Sequence, residues 1–169
     1  MGVQYPRWHK RSRKRVMDHP VEEYKDDAYI LMKDLKFHEG DIRSLYLNTY
    51  VYRKDLKSLR DLNETHLDML ESMYNDGLEA ISEKFKVAKN TIAVFIHYLP
   101  TYYHLHIHFC HQKYMEGYSA NIGKCIMLKD VIQNIKLKGS YYQEATMTIT
   151  LGQKEKLYLL MKEAGYIIE

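Results

Sequence analysis

The sequence holds only two cysteines, one tryptophan and four phenylalanines in 169 residues. Cys110 and Cys125 do not form a CxxC pair, so a redox motif of that kind is excluded and reduced thiols are expected. No HExxH occurs. No apolar run approaches the length of a membrane span, and none follows the basic N-terminal cluster, which excludes a secretory signal of the usual form. Internal repeats and low-complexity segments are missing as well. Acids are missing before Asp18. The net charge of +3 is too small to imply a nucleic-acid partner by itself.

The chain is long enough for one domain with a genuine core. Its 46% hydrophobic and 28% charged residues argue against wholesale disorder. Sixteen tyrosines stand against the four phenylalanines, a balance that suits half-buried sheets, wet pockets and interfaces. Arg7 to Arg15 carries six of the 25 Lys and Arg residues. A solvated arm, a phosphate-gathering arm and an import signal all fit that cluster. Residues 1–27 therefore read as an extension, and 28–169 as the domain.

Within the domain, Ala28 to Met32 and Leu45 to Tyr52 read as strands. Asn63 offers an N-cap, and Leu67, Leu70, Tyr74, Leu78, Ile81 and Phe85 recur at helical steps, which predicts an amphipathic helix over 64–85. Two more strands are predicted at Thr91 to His97 and Tyr103 to Phe109. A second helix follows, with Met127, Leu128, Val131, Ile132 and Ile135 on one face. Glu144 to Leu151 alternates as a last strand, and Gln153 to Ala164 reads as a closing helix with Gly165 at its stop. Strands and helices mix without regular alternation. The expected class is α+β, an antiparallel sheet of about five strands with helices packed on it.

Five of the nine histidines fall within residues 97–111: His97, His104, His106, His108 and His111. In HLHIHF (104–109) they alternate with apolar residues, so a strand would send Leu105, Ile107 and Phe109 into the core and the three histidines to the other face. A merely polar strand face is one reading. A three-histidine zinc site with water as fourth ligand is another, although no clear orienting acid stands nearby. The third is nucleophilic catalysis, since a neutral imidazole attacks phosphorus well near pH 7 while neighbouring donors steady the equatorial oxygens.

HLHIHF resembles the HφHφHφφ signature of the histidine-triad superfamily, with Cys110 as a weak final member. The longer HYLPTYYHLHIHF (97–109), together with DLKF (34–37) and KSLRDL (57–62), is similar to the scavenger mRNA decapping branch. That resemblance runs from about Ile30 to the C-terminus. It implies a histidine-triad catalytic domain, a hydrolase that needs no cofactor or metal and acts on cap dinucleotides or short capped RNA. His106 would attack the phosphate next to 7-methylguanosine, and water would then release 7-methylguanosine monophosphate from a nucleotidyl-histidine. His104 and His108 would flank the nucleophile. His97, Thr101, Tyr102, Lys36 and Lys124 would hold the phosphates, Lys124 standing where the family has arginine. Asp34, Leu35 and Tyr46 would line the methylguanosine.

The resemblance further implies a homodimer, no membrane association, and a cytoplasmic location with the nucleus as an alternative. Most of the family's large N-terminal domain has no counterpart in these 169 residues. That domain supplies a tryptophan and a glutamate that sandwich the methylated base. Trp8 is the only tryptophan here, with Asp18 ten residues on, and a cationic base is attracted by an aromatic face and an acid. Trp8 is therefore the expected cap-stacking residue. A less selective histidine-triad hydrolase acting on dinucleoside polyphosphates or phosphoramidates, and a non-catalytic nucleotide- or RNA-binding relative, are the competing expectations.

Overall fold

The computed structural model describes residues 29–38, 40–116 and 123–167. The Arg7–Arg15 cluster, Trp8 and Asp18 lie outside the described residues. Among the described residues, five strands form one sheet: β1 (Tyr29–Lys33), β2 (Tyr46–Val51), β3 (Ile92–His97), β4 (His106–His111) and β5 (Cys125–Met127). Their order is β1-β2-β4-β3-β5, and every pairing is antiparallel. The helices are α1 (Leu67–Phe85), α2 (Gln112–Glu116), α3 (Leu128–Leu137), α4 (Tyr141–Glu144) and α5 (Lys156–Glu163). This is the α+β class expected, with helices packed on an antiparallel sheet.

Alternation within the strands separates two faces. Leu47, Thr49, Val94, Ile96, Ile107 and Phe109 all lie buried on one of them. Helix α1 covers that face with Leu70, Met73, Gly77, Leu78 and Ile81. Gly77 has a steric reason to be glycine: a Cβ there would run into the Phe109 ring. The helix starts as expected, but through a tighter turn. Asn63 caps a 3-10 turn at Glu64–His66 by accepting from Thr65 N at 3.0 Å, and the α-helix begins only at Leu67.

Four expectations need correction. The strand predicted from Tyr103 begins only at His106, because the preceding backbone bonds elsewhere: Leu105 N donates to Leu56 O at 2.9 Å. Met127 is not on the face of the second helix. It ends β5, a strand of three residues too short to leave a periodic signal, and it is 42% exposed. Glu144 to Leu151 is not a strand either. Glu144 closes α4, and residues 145–151 run without a sheet partner among the described residues. Their burial still alternates, with Ala145, Met147, Ile149 and Leu151 half-buried and Thr146, Thr148 and Thr150 exposed. Alternation reports one-sided burial, which an extended strap achieves without a ladder. The closing helix begins at Lys156 rather than Gln153, and Gly165, at φ 76°, supplies its left-handed stop.

Candidate active site

The second face of the sheet carries the histidines. Register sets Tyr50 opposite His106, Asn48 opposite His108, and Phe95 opposite His108 from the other side. Opposed residues share a face in an antiparallel pair, so Tyr46, Asn48 and Tyr50 of β2 join His106 and His108 of β4 with Phe95 and His97 of β3. Their rings form a contiguous cluster. His97 and His108 have centroids 4.2 Å apart, and His106 lies 4.8 Å from His108. Phe95 stacks on His108 at 5.2 Å, and Tyr50 stacks on His106 at 5.5 Å.

His106 is held by its own strand entry. Its Nδ1 lies 2.6 Å from the carbonyl oxygen of His104. A carbonyl only accepts, so Nδ1 carries the proton, and the neutral ring then has its lone pair on Nε2. His104 is fixed in a comparable way, its Nε2 donating to Val51 O at 2.6 Å. His104 therefore departs from the sequence expectation. It sits at a bend before β4, turned to the β2 backbone instead of aligned with His106 and His108.

His108 is 6% exposed, and its Nδ1 lies 3.0 Å from the Tyr46 hydroxyl. Burial, then the neighbouring His97, His106 and Lys36, push its pKa down to about 2. His97 is lowered to about 4, by burial first and then by His106, Lys36 and Lys124. Both rings are neutral at pH 7. Tyr46 is 5% exposed. Its hydroxyl meets His108 Nδ1, so it lies buried beside the histidines on their own face, where the resemblance implied a base-lining residue.

The turn after β1 brings in the next candidates. Asp34 accepts from Asn48 Nδ2 at 2.8 Å and from Lys36 N at 3.0 Å, one bond to each oxygen, which shapes the turn. Leu35 is fully exposed at the tip. The Lys36 ammonium stands 5.3 Å from the centre of the Tyr46 ring, beside the histidine pair. Thr101 and Tyr102 are exposed on the β3–β4 connection, with the Tyr102 ring 6.2 Å from that of His104. Lys124 enters from the other side, where its backbone carbonyl accepts from Tyr98 N at 2.8 Å. Its ammonium pairs with Glu155 at 3.0 Å. The fold thus brings His97, His106, His108, Lys36 and Lys124 to one face.

Several contributors gave no separate signal in the sequence. Tyr50 and Phe95 are recognisable only once the register is known. Arg60, inside KSLRDL, donates to Tyr98 Oη at 2.9 Å and to the carbonyls of Tyr142 and Ala145 at 2.7 Å. It ties the loop after His97 to the segment that leads to Glu155. Among the described residues no three His, Cys, Asp or Glu side chains are grouped as metal ligands would be, which goes against the three-histidine zinc alternative. No described helix is long and apolar enough to cross a membrane. Both cysteines are free thiols, and Cys110 is fully buried where the signature wants an apolar residue.

Comparison with known proteins agrees with the geometry. Residues 9–123 match the family described as "Scavenger mRNA decapping enzyme C-term binding". The chain is 40% identical over 132 residues to an m7GpppX diphosphatase of Ascaris suum, covering 78% of this chain and 44% of that protein. Similar proteins of the same name from Bos taurus and Homo sapiens are 37% and 34% identical over 138 residues, covering 82% of this chain and 41% of theirs. The chain thus spans less than half the length of these relatives. On a match that extends over more than half of its residues, the chain belongs to the scavenger mRNA decapping enzyme family.

Proposed function

We propose that this domain hydrolyses the 5′–5′ phosphoanhydride of 7-methylguanosine cap dinucleotides and short capped oligonucleotides. The observation that carries the reading is the His106 Nδ1 to His104 carbonyl bond, which leaves Nε2 as a fixed lone pair on a half-buried ring. The relatives' name, m7GpppX diphosphatase, supplies the substrate class. Nε2 attacks the phosphorus next to 7-methylguanosine, and the P–O bond to the nucleoside diphosphate breaks. Water then cleaves the N–P bond, releasing 7-methylguanosine monophosphate and restoring the imidazole.

His97, neutral, acts as a donor or acceptor at the phosphates, and His108, buried and neutral behind it, does not repel it as a cation would. Lys36 and Lys124 supply the positive charge. Thr101 and Tyr102 close the phosphate side from the loop, while Asp34 and Leu35 border the methylguanosine end. Trp8 is read as the stacking residue for the cationic base. The working form is taken as a homodimer, in the cytoplasm, where free thiols persist.

Incubation of the protein with cap dinucleotide and with its unmethylated analogue, followed by product identification, tests the reading. 7-methylguanosine monophosphate is the expected product. His106→Asn should abolish turnover while retaining nucleotide binding. A variant that keeps more than about a tenth of wild-type kcat would remove His106 from the nucleophile's role, since loss of a covalent nucleophile costs far more than tenfold.

A further inference from the structure

We propose that Tyr46 is a positioning residue which locks His108 as its Nε2–H tautomer and aims that proton at His97, fixing the ring of His97 at the phosphate edge. The inference rests on the reading of His97 as a phosphate-side residue. It starts from a pair closed to solvent. Tyr46 is 5% and His108 6% exposed, and the hydroxyl and Nδ1 are 3.0 Å apart. One of the two atoms must own the proton between them.

Four groups around Tyr46 decide which. The Lys36 ammonium over its ring offers only donors. Tyr114 meets it edge-on at 5.3 Å. Cys110 stands opposite Tyr46 in the β2–β4 register, and sulfur is a weak acceptor. Asp34, whose oxygens accept from Asn48 and Lys36 N, makes no hydrogen bond with the Tyr46 hydroxyl among the described residues. If His108 Nδ1 carried the proton, the tyrosine's own hydrogen would be left facing a poor acceptor. If tyrosine donates to Nδ1, its hydrogen is used. Burial also raises the tyrosine's pKa, so that it keeps its proton.

Nε2 of His108 must then bear the hydrogen, and among the described residues it is one of three buried side-chain polar atoms with no hydrogen-bond partner. Such an atom calls for an acceptor close by. Phe95 covers one face of the ring by stacking. The ring of His97 is the nearest, with centroids 4.2 Å apart, and being neutral it has a lone pair to offer. A small rotation of either ring completes the chain Tyr46 to His108 to His97. His97 then accepts at one nitrogen and presents N–H at the other, so a proton held deep in the sheet sets which way His97 donates. A group that bonds the far nitrogen of a metal-bound histidine fixes that ring's tautomer in the same manner.

The test is nitrogen NMR of histidine-labelled protein, which reads the tautomer of each ring directly. In the wild type, His108 should show a protonated Nε2 and an unprotonated Nδ1. Tyr46→Phe should lose that fixed tautomer, and kcat for cap dinucleotide should fall at least about tenfold while KM changes less than about twofold, as expected when an interaction is felt mainly in the transition state. His97→Asn should make the further loss from Tyr46→Phe small, since the two lie on one chain. A wild-type spectrum with Nδ1 protonated overturns the proposal even if the Phe variant fails to fold. So does a folded Tyr46→Phe protein with an unchanged kcat. Failure of the hydrolase reading itself would appear separately, as wild-type protein that leaves cap dinucleotide intact while the His108 tautomer is still the one expected.

Discussion

The Lys124 ammonium and the Glu155 carboxylate meet at 3.0 Å, although 31 residues separate them. Glu155 is also held by Gly152 N at 3.1 Å, and Thr150 lies where a Cβ on Gly123 would have to be. The strap over residues 145–155 is therefore laid against the Lys124 turn, and it sets an anion on a cation proposed to hold phosphate. Side chains of both partners keep solvent contact, at 27% and 44% exposure, so the pair is weak and displaceable. Glu155→Gln should lower KM for cap dinucleotide by about two- to fivefold, the range a surface ion pair accounts for, and less at high salt. Lys124→Ala should raise it. Steady-state kinetics at low and high ionic strength read both; a KM raised by Glu155→Gln would mean that the carboxylate positions the lysine instead of competing for it.

The two depressed histidines make a pH prediction. In the unfolded chain both titrate near the ordinary value of 6.5, while folded His97 waits until about 4 and His108 until about 2. As pH falls below about 6.5, the unfolded state takes up protons that the folded state refuses, and stability drops. Above that pH both rings are neutral in both states, and the effect disappears. His97 stops contributing near pH 4, whereas His108 contributes down to about pH 2. For His108 the loss approaches at most about 1.4 kcal/mol per pH unit. Melting temperatures at pH 7.5, 6.5 and 5.5 should therefore be flat and then decline, and His97→Asn should decline less steeply. A decline as steep in His97→Asn as in the wild type would mean that His97 titrates normally.

Gly77 and Phe109 set how closely α1 approaches β4. Alanine usually stabilises a helix interior over glycine by about 0.5–1 kcal/mol. Here its methyl would enter the ring of Phe109, which is fully buried, and overpacking typically costs about 1–3 kcal/mol. The second effect should win. Gly77→Ala should lower the urea midpoint, and Gly77→Ala with Phe109→Leu should recover part of it. Phe109 follows His108 in β4, so kcat should fall as well. An unchanged midpoint would show that the helix moves away at little cost.

Part of the site was legible without coordinates. HLHIHF placed Leu105, Ile107 and Phe109 in the core, and all three are buried. Alternation also placed His106 and His108 on the opposite face. His104 was misplaced because its backbone neighbour Leu105 bonds to Leu56 and its ring to Val51, partners about fifty residues away. Tyr46 was assigned to the methylguanosine by resemblance alone, and only the register of β2 against β4 shows its hydroxyl turned to His108. Trp8 and the basic arm lie outside the described residues.

Local pattern therefore determined what depends on near neighbours: the α1 helix, the alternation of β4, the glycine stop at Gly165 and the histidine motif with its family. Periodicity carries these because a side chain's direction follows from its own backbone. Tertiary structure decided what depends on pairing. It brought Tyr50 and Phe95 onto the histidines, set Lys124 against Glu155, gave three residues at Cys125–Met127 a place as the edge strand, and left the alternating 145–151 segment without one. A strand exists only when another backbone answers its hydrogen bonds, and a ring is held down in pKa only when other groups exclude water around it. Neither condition is a property of the segment that shows it.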